Sequence, residues 1–79
     1  MSEYKPIQCE LHDGYELACM RKLIAEVIWR DDSGHIHREK LRYLDIEIHR
    51  GEEFLIADNR EGQQRRLRLD RIESMPPSR

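Results

Sequence analysis

Apolar and polar residues change their period once along this chain, near residue 22. Before that point Leu11, Tyr15, Ala18 and Cys19 fall at i, i+4, i+7 and i+8, one face of a helix. Asp13 followed by Glu16 has the spacing of a capping box, with Asp13 as the capping oxygen, so the helix is predicted from about Gly14 to Arg21. A helix this short is unstable alone in water, so its stripe must rest on a sheet. Residues 1–12 read as extended, because Pro6 disfavours helix at Lys5. From Leu23 the period is two. Leu23, Ala25, Val27 and Trp29 alternate with Ile24, Glu26, Ile28 and Arg30, a strand with one apolar face and one partly apolar face. Asp31-Asp32-Ser33-Gly34 is a turn, and residues 35–41 return as a second strand. Leu44, Ile46 and Ile48 alternate with Tyr43, Asp45 and Glu47 in a third strand, or else residues 35–48 run as one long bent strand. His49-Arg50-Gly51-Glu52 turns the chain into a fourth strand, Glu53 to Asp58. Asn59-Arg60-Glu61-Gly62 then leads to a fifth, Arg66 to Leu69, with Leu67 and Leu69 facing inward. Ile72 breaks their parity, so a bend or bulge near Asp70-Arg71 is expected, followed by a short last strand over residues 71–75. The expected fold is mainly β with one N-terminal helix. Its bent antiparallel meander of five to six strands curls into a small barrel that hides its edges.

Seventy-nine residues make one domain, 1–79, with a modest core and little room for a deep catalytic cleft. Hydrophobic and charged residues each make up 38% of the chain, which excludes both a disordered chain and a membrane protein. No apolar run approaches a membrane span, and Met1 to Ile7 lack the apolar core of a secretory signal, so a cytoplasmic protein is expected. Pro76-Pro77 reads as a frayed tail. Cys9 and Cys19 are too few for a disulfide framework and lack CxxC spacing, which leaves two buried or half-buried thiols. His35 and His37 share a strand face, but two ligands without a third acid or thiol do not close a zinc site. Cys9 near His12 has no third member, so neither catalysis, nor a metal, nor a cofactor is expected.

Net charge is −2, yet its distribution is uneven. Residues 1–20 hold Glu3, Glu10, Asp13 and Glu16 against Lys5, so 1 − 4 = −3, while the rest holds 13 basic and 12 acidic residues, +1. An acidic front suits a basic partner and repels phosphates, although four carboxylates also make an ordinary solvated face. Arg65, Arg66 and Arg68 read as a solvated edge that protects a strand, and Trp29 as core or edge packing.

Four segments stand in order within residues 4–74: Tyr4-x-Pro6-Ile7-x-Cys9, Glu16-Leu17-Ala18-Cys19, Glu53-Phe54-Leu55 and Leu67-Arg68-Leu69-Asp70-Arg71-Ile72. Together they resemble the Rho-binding antiterminator family, also called Rof. The resemblance implies an Sm-like fold and a monomer that binds the N-terminal RNA-binding domain of the hexameric transcription termination factor Rho. It implies that the primary RNA site of Rho is blocked, that Rho-dependent termination falls, and that no catalysis is involved. On this chain the contacts would be the carboxylates Glu10, Asp13 and Glu16, with Arg50 in the Arg50-Gly51-Glu52 turn as a secondary contact. Asp13 and Glu16 stand where family members also carry acids, whereas Leu11, His12 and Gly14 interrupt the family's denser acidic and aromatic stretch. A reading of another class is an Sm-like RNA-binding module. That reading calls for a basic footprint, and this chain has a pI near 6.1 and an acidic front.

Overall fold

A computed structural model describes residues 3–78. One helix, α1 (Cys9–Met20), precedes four antiparallel strands, β1 (Ile24–Arg30), β2 (Ile36–His49), β3 (Glu52–Asp58) and β4 (Gln64–Arg68). The strands lie in sequence order in one sheet, and a 3-10 turn, Leu69–Arg71, follows β4.

The helix begins earlier than its predicted cap. Gln8 holds the N-cap position in extended backbone and makes no side-chain cap bond, while the His12 N–H already donates to the Gln8 carbonyl at 3.0 Å. Asp13 therefore lies inside the helix and caps nothing, and the expected capping box does not form. Packing overrides the local signal here. Tyr15, Ala18 and Cys19 are buried against the sheet, with Ile7 and Leu11 beside them, and this carries the helix through Gly14. The C-terminus is closed by backbone. Lys22 adopts left-handed φ 52°, its N–H donates to the Cys19 carbonyl at 3.1 Å, and the Leu23 N–H donates to that of Ala18 at 3.0 Å. These two bonds form a Schellman motif and satisfy carbonyls the helix leaves open.

The second and third predicted strands are one. β2 runs 14 residues and changes partners along its length, pairing with β1 through Ile36–Arg42 and with β3 through Arg42–His49. A bulge between Tyr43 and Asp45 adds one residue, so the inward face switches parity. Leu41 and Tyr43 point in before it and Ile46 after it, opposite Leu55, whereas Ile48 is 68% exposed. The alternation of Leu44, Ile46 and Ile48 is therefore offset by one residue from that of Leu41 and Tyr43.

The bend at Asp70-Arg71 is present as the 3-10 turn, but among the described residues no regular strand follows it. Instead Ile72 bridges Trp29, the Glu73 N–H donates to the Ile28 carbonyl at 2.7 Å, and the Ile28 N–H donates to Ser74 Oγ at 3.0 Å. A side-chain oxygen takes over where a ladder carbonyl would stand, and Pro76-Pro77 bring no N–H to extend it. The sheet among the described residues thus has four strands, not five to six, and curls until this segment covers part of the free edge of β1. Pro76 and Pro77 are partly buried, which corrects the frayed tail. A Cβ on Gly14 would come within 2.8 Å of Pro76 Cγ, so glycine permits the close approach, and the Tyr15 hydroxyl donates to the Ser74 carbonyl at 3.2 Å.

The core joins the inner face of α1 to Val27, Leu41, Tyr43, Leu55, Ala57, Leu67 and Leu69. The last two face inward as the alternation predicts. Tyr15 and Tyr43 stack with centroids 6.3 Å apart, and burial pushes the Tyr15 hydroxyl up to about 12. No described helix is long and apolar enough to cross a membrane.

Candidate functional site

The carboxylates singled out from sequence fall on α1. Glu10 lies in the first helical turn, where its negative charge interacts favourably with the helix dipole. Glu10, Asp13 and Glu16 are all exposed, because the face opposite Tyr15, Ala18 and Cys19 has no sheet to meet. Between them His12 turns back toward the sheet. Its Nε2 lies 2.6 Å from Glu53 Oε2 at the start of β3, and its Nδ1 lies 3.5 Å from Glu16 Oε1. The Tyr4 hydroxyl donates to the other Glu53 oxygen at 3.1 Å, and burial together with that carboxylate pushes the phenol pKa up. Donor atoms of His12, Asp13 and Glu16 lie within 4.8 Å of one another.

Tyr4 also lies under Arg68, whose guanidinium carbon stands 5.6 Å from the ring centroid. Arg68 binds Asp70 through Nε at 2.6 Å, and Asp70 accepts the Lys5 backbone N–H at 2.8 Å. The segment before α1 is therefore fastened to β4 and its following turn, and α1 to β3. A row of outward carboxylates is held on a helix whose orientation is fixed at both flanks.

Arg50 sits apart from this network. It occupies the β2–β3 turn at φ 53°, followed by Gly51 at φ 80°, the two left-handed residues that a tight hairpin requires. Its side chain is exposed, and it makes no ion pair or hydrogen bond with α1 among the described residues. The hairpin it tips is nonetheless the one that carries Glu53 to His12.

Sequence reasoning missed the anchoring trio Tyr4, His12 and Glu53. The only available signal was that Tyr4 and Glu53 begin two of the four segments that carry the family resemblance. Their contacts span 41 and 49 residues, which no local period reports.

The basic cluster is neutralised in place. Arg65 Nε donates to Glu39 at 2.9 Å, Arg66 Nε to Glu47 at 2.8 Å with its guanidinium 3.8 Å above the Phe54 ring, and Arg68 to Asp70. Hydrogen bonds from Arg65 and then Asn59 hold the Glu39 carboxyl below its usual range. Trp29 is half-buried and stacks on His37. Cys19 is buried, and burial pushes its thiol up to about 11, with Asp45 adding to the shift. Cys9 is exposed, contrary to the expected burial, because the earlier helix start places it at the first, outward-facing position.

Residues 6–79 match the family model described as modulator of Rho-dependent transcription termination (ROF). No curated protein and no solved structure matches the chain.

Proposed function

We propose a mechanism from one premise: the chain belongs to the ROF family of modulators of Rho-dependent transcription termination. It binds the N-terminal RNA-binding domain of the Rho hexamer, denies the primary site to single-stranded transcript, and so lowers Rho-dependent termination. The protein acts as a cytoplasmic monomer without a cofactor, and we read its helix and curled sheet as Sm-like. The observation that carries this reading is the outward row Glu10, Asp13 and Glu16 on a helix fastened to the sheet through His12 and Glu53. Single-stranded RNA sites combine a positive groove with stacking platforms. Carboxylates accept charge-assisted hydrogen bonds from Arg and Lys as phosphates do, so a rigid acidic row competes for the same cations. Anchoring matters because a helix already in place loses less freedom on binding. Arg50, at the tip of the neighbouring hairpin, supplies a secondary contact.

The pairing of Arg65, Arg66 and Arg68 with carboxylates weighs against an RNA-binding module, since those guanidiniums are already engaged. The test is co-migration of purified Rho with wild type and with the double variant Asp13→Lys, Glu16→Lys. Truncating one partner of a desolvated interfacial charge pair costs about 2–5 kcal/mol, so reversing two charges should abolish capture while far-UV circular dichroism stays native. Unchanged capture by a folded double variant refutes the helix-face site. A ternary complex of Rho, this protein and single-stranded RNA at the primary site refutes the blocking mechanism. Tight, salt-sensitive binding of an RNA oligonucleotide without Rho favours the module instead.

A further inference from the structure

On α1, Glu16 lies four residues after His12 and three after Asp13, and both spacings make neighbours on a helix surface. One donor atom from each of His12, Asp13 and Glu16 lies within 4.8 Å of the other two, and among the described residues no other three His, Cys, Asp or Glu side chains come so close. A contact from outside the helix sets the chemistry of this group. His12 Nε2 lies 2.6 Å from Glu53 Oε2 on β3, and the other Glu53 oxygen accepts the Tyr4 hydroxyl. An ionised carboxylate only accepts hydrogen bonds, so Nε2 carries the ring proton and Nδ1 of the neutral ring presents a bare lone pair. Nδ1 stands 3.5 Å from Glu16 Oε1. Two acceptors thus face each other, only a cation satisfies both, and Asp13 brings a third acceptor within reach.

We propose that His12, Asp13 and Glu16 form a binding site for one divalent transition-metal ion, coordinated by His12 Nδ1 and by an oxygen of each carboxylate. The inference is independent of how the protein acts on Rho. Two metal bonds of about 2.0–2.1 Å at a tetrahedral angle place their ligand atoms about 3.3 Å apart, close to the 3.5 Å between Nδ1 and Glu16 Oε1. Asp13 is exposed and closes the remaining gap by turning its side chain. His12, with 23% of its side chain exposed, is the fixed member of the set. Glu53 is its positioning residue: a metal-binding imidazole commonly donates its other N–H to a carboxylate, which fixes the tautomer and raises the basicity of the ligating nitrogen. The imidazole donor favours zinc, copper and nickel over magnesium, and three protein ligands leave a fourth position for water.

The full chain is titrated at neutral pH with zinc chloride, and separately with magnesium chloride, while the imidazole nitrogens are followed by NMR. The expected result is a saturable shift of His12 Nδ1 with zinc while Nε2 keeps its proton, and no such shift with magnesium. The double variant Asp13→Asn, Glu16→Gln weakens zinc binding at His12 at least about tenfold. It alters only exposed side chains and leaves the His12–Glu53 contact in place, so its circular dichroism spectrum stays native. Glu53→Gln weakens binding by about tenfold, because a neutral acceptor leaves the imidazole less basic. That loss is absent when binding is compared by calorimetry in a His12→Ala background, the mark of a residue that acts through the imidazole. His37→Ala leaves the His12 shift unchanged. Three results overturn the proposal: no saturable His12 shift up to millimolar zinc, wild-type affinity in the folded Asp13→Asn, Glu16→Gln variant, or an equal response to magnesium.

Discussion

Replacing Asn59 with aspartate exchanges one NH2 for one oxygen and leaves the shape of the side chain intact. Asn59 is 8% exposed in the loop between β3 and β4. Its Nδ2 donates to Glu39 Oε2 and Gln63 Oε1, both at 2.9 Å, and its Oδ1 accepts the N–H groups of Glu61 at 3.0 Å and Gln63 at 2.9 Å. Both donors are engaged and the acceptor is doubly used. Glu39 in turn takes Arg65, so this loop side chain helps join β2 to β4, strands that are not neighbours in the sheet. In Asn59→Asp the two acceptor bonds survive and the two donations are lost, each worth about 0.5–1.5 kcal/mol. An anionic oxygen then faces the Glu39 carboxylate. Glu39 keeps 27% of its side chain exposed, so that repulsion lies nearer its value in water, about 1–2 kcal/mol. The sum is about 3 kcal/mol, a large share of the stability of a small domain. It is read as the loss of unfolding free energy in urea, followed by circular dichroism, at neutral pH and again near pH 4. In wild type the folded pKa of Glu39 is lowered, so its contribution stands above the usual carboxylate range and fades as pH falls. In the variant the facing carboxylates titrate higher when folded, so acid relieves their repulsion. Both effects narrow the gap between the two proteins at low pH. A variant as stable as wild type at neutral pH, or a gap that does not narrow in acid, refutes the reasoning.

Leu55→Ala, at a fully buried position in the centre of β3, should lower unfolding free energy by about 2–5 kcal/mol, measured by urea denaturation. Tyr43→Phe should be neutral or stabilising by up to about 1 kcal/mol in the same assay, because the buried Tyr43 hydroxyl has no hydrogen-bond partner among the described residues. Gly14→Leu adds a good helix former yet collides with Pro76, so amide exchange should quicken at residues 72–75 while the strands keep their protection. The Asp31 carboxyl, held down to about 2 first by the His37 hydrogen bond and then by the turn N–H groups, should titrate near that value by carbon NMR and rise toward the ordinary range in His37→Ala. Its contribution to stability is present above the ordinary carboxylate pKa and disappears as pH falls toward 2.

Period alone located every strand between Ile24 and Arg68 and placed the bend at Asp70-Arg71, because β-alternation and turn residues are local properties. It failed where one residue changes parity. The bulge at Tyr43/Asp45 lets Tyr43 and Ile46 share the core face, and nothing in the alternation of residues 43–48 announces an insertion. It failed also at the start of α1, where Asp13 and Glu16 imitate a cap that packing makes unnecessary. The acidic side chains of the candidate site were legible, since charge and helical placement are readable from residue type. Their anchor was not, because His12 meets Glu53 only after the chain has turned back three times.

The side-chain bonds that seat α1 and the segment before it have consequences for the order of assembly. Tyr4 with Glu53, Lys5 with Asp70 and Tyr15 with Ser74 join residues 49, 65 and 59 positions apart, whereas each strand pairs with the next through a short turn. Closing a longer loop costs more chain entropy, so the three hairpins zip early and the helix docks late. The element that bears the acidic row is thus expected to dock last and open first, which native-state amide exchange faster in α1 than in the strands would register.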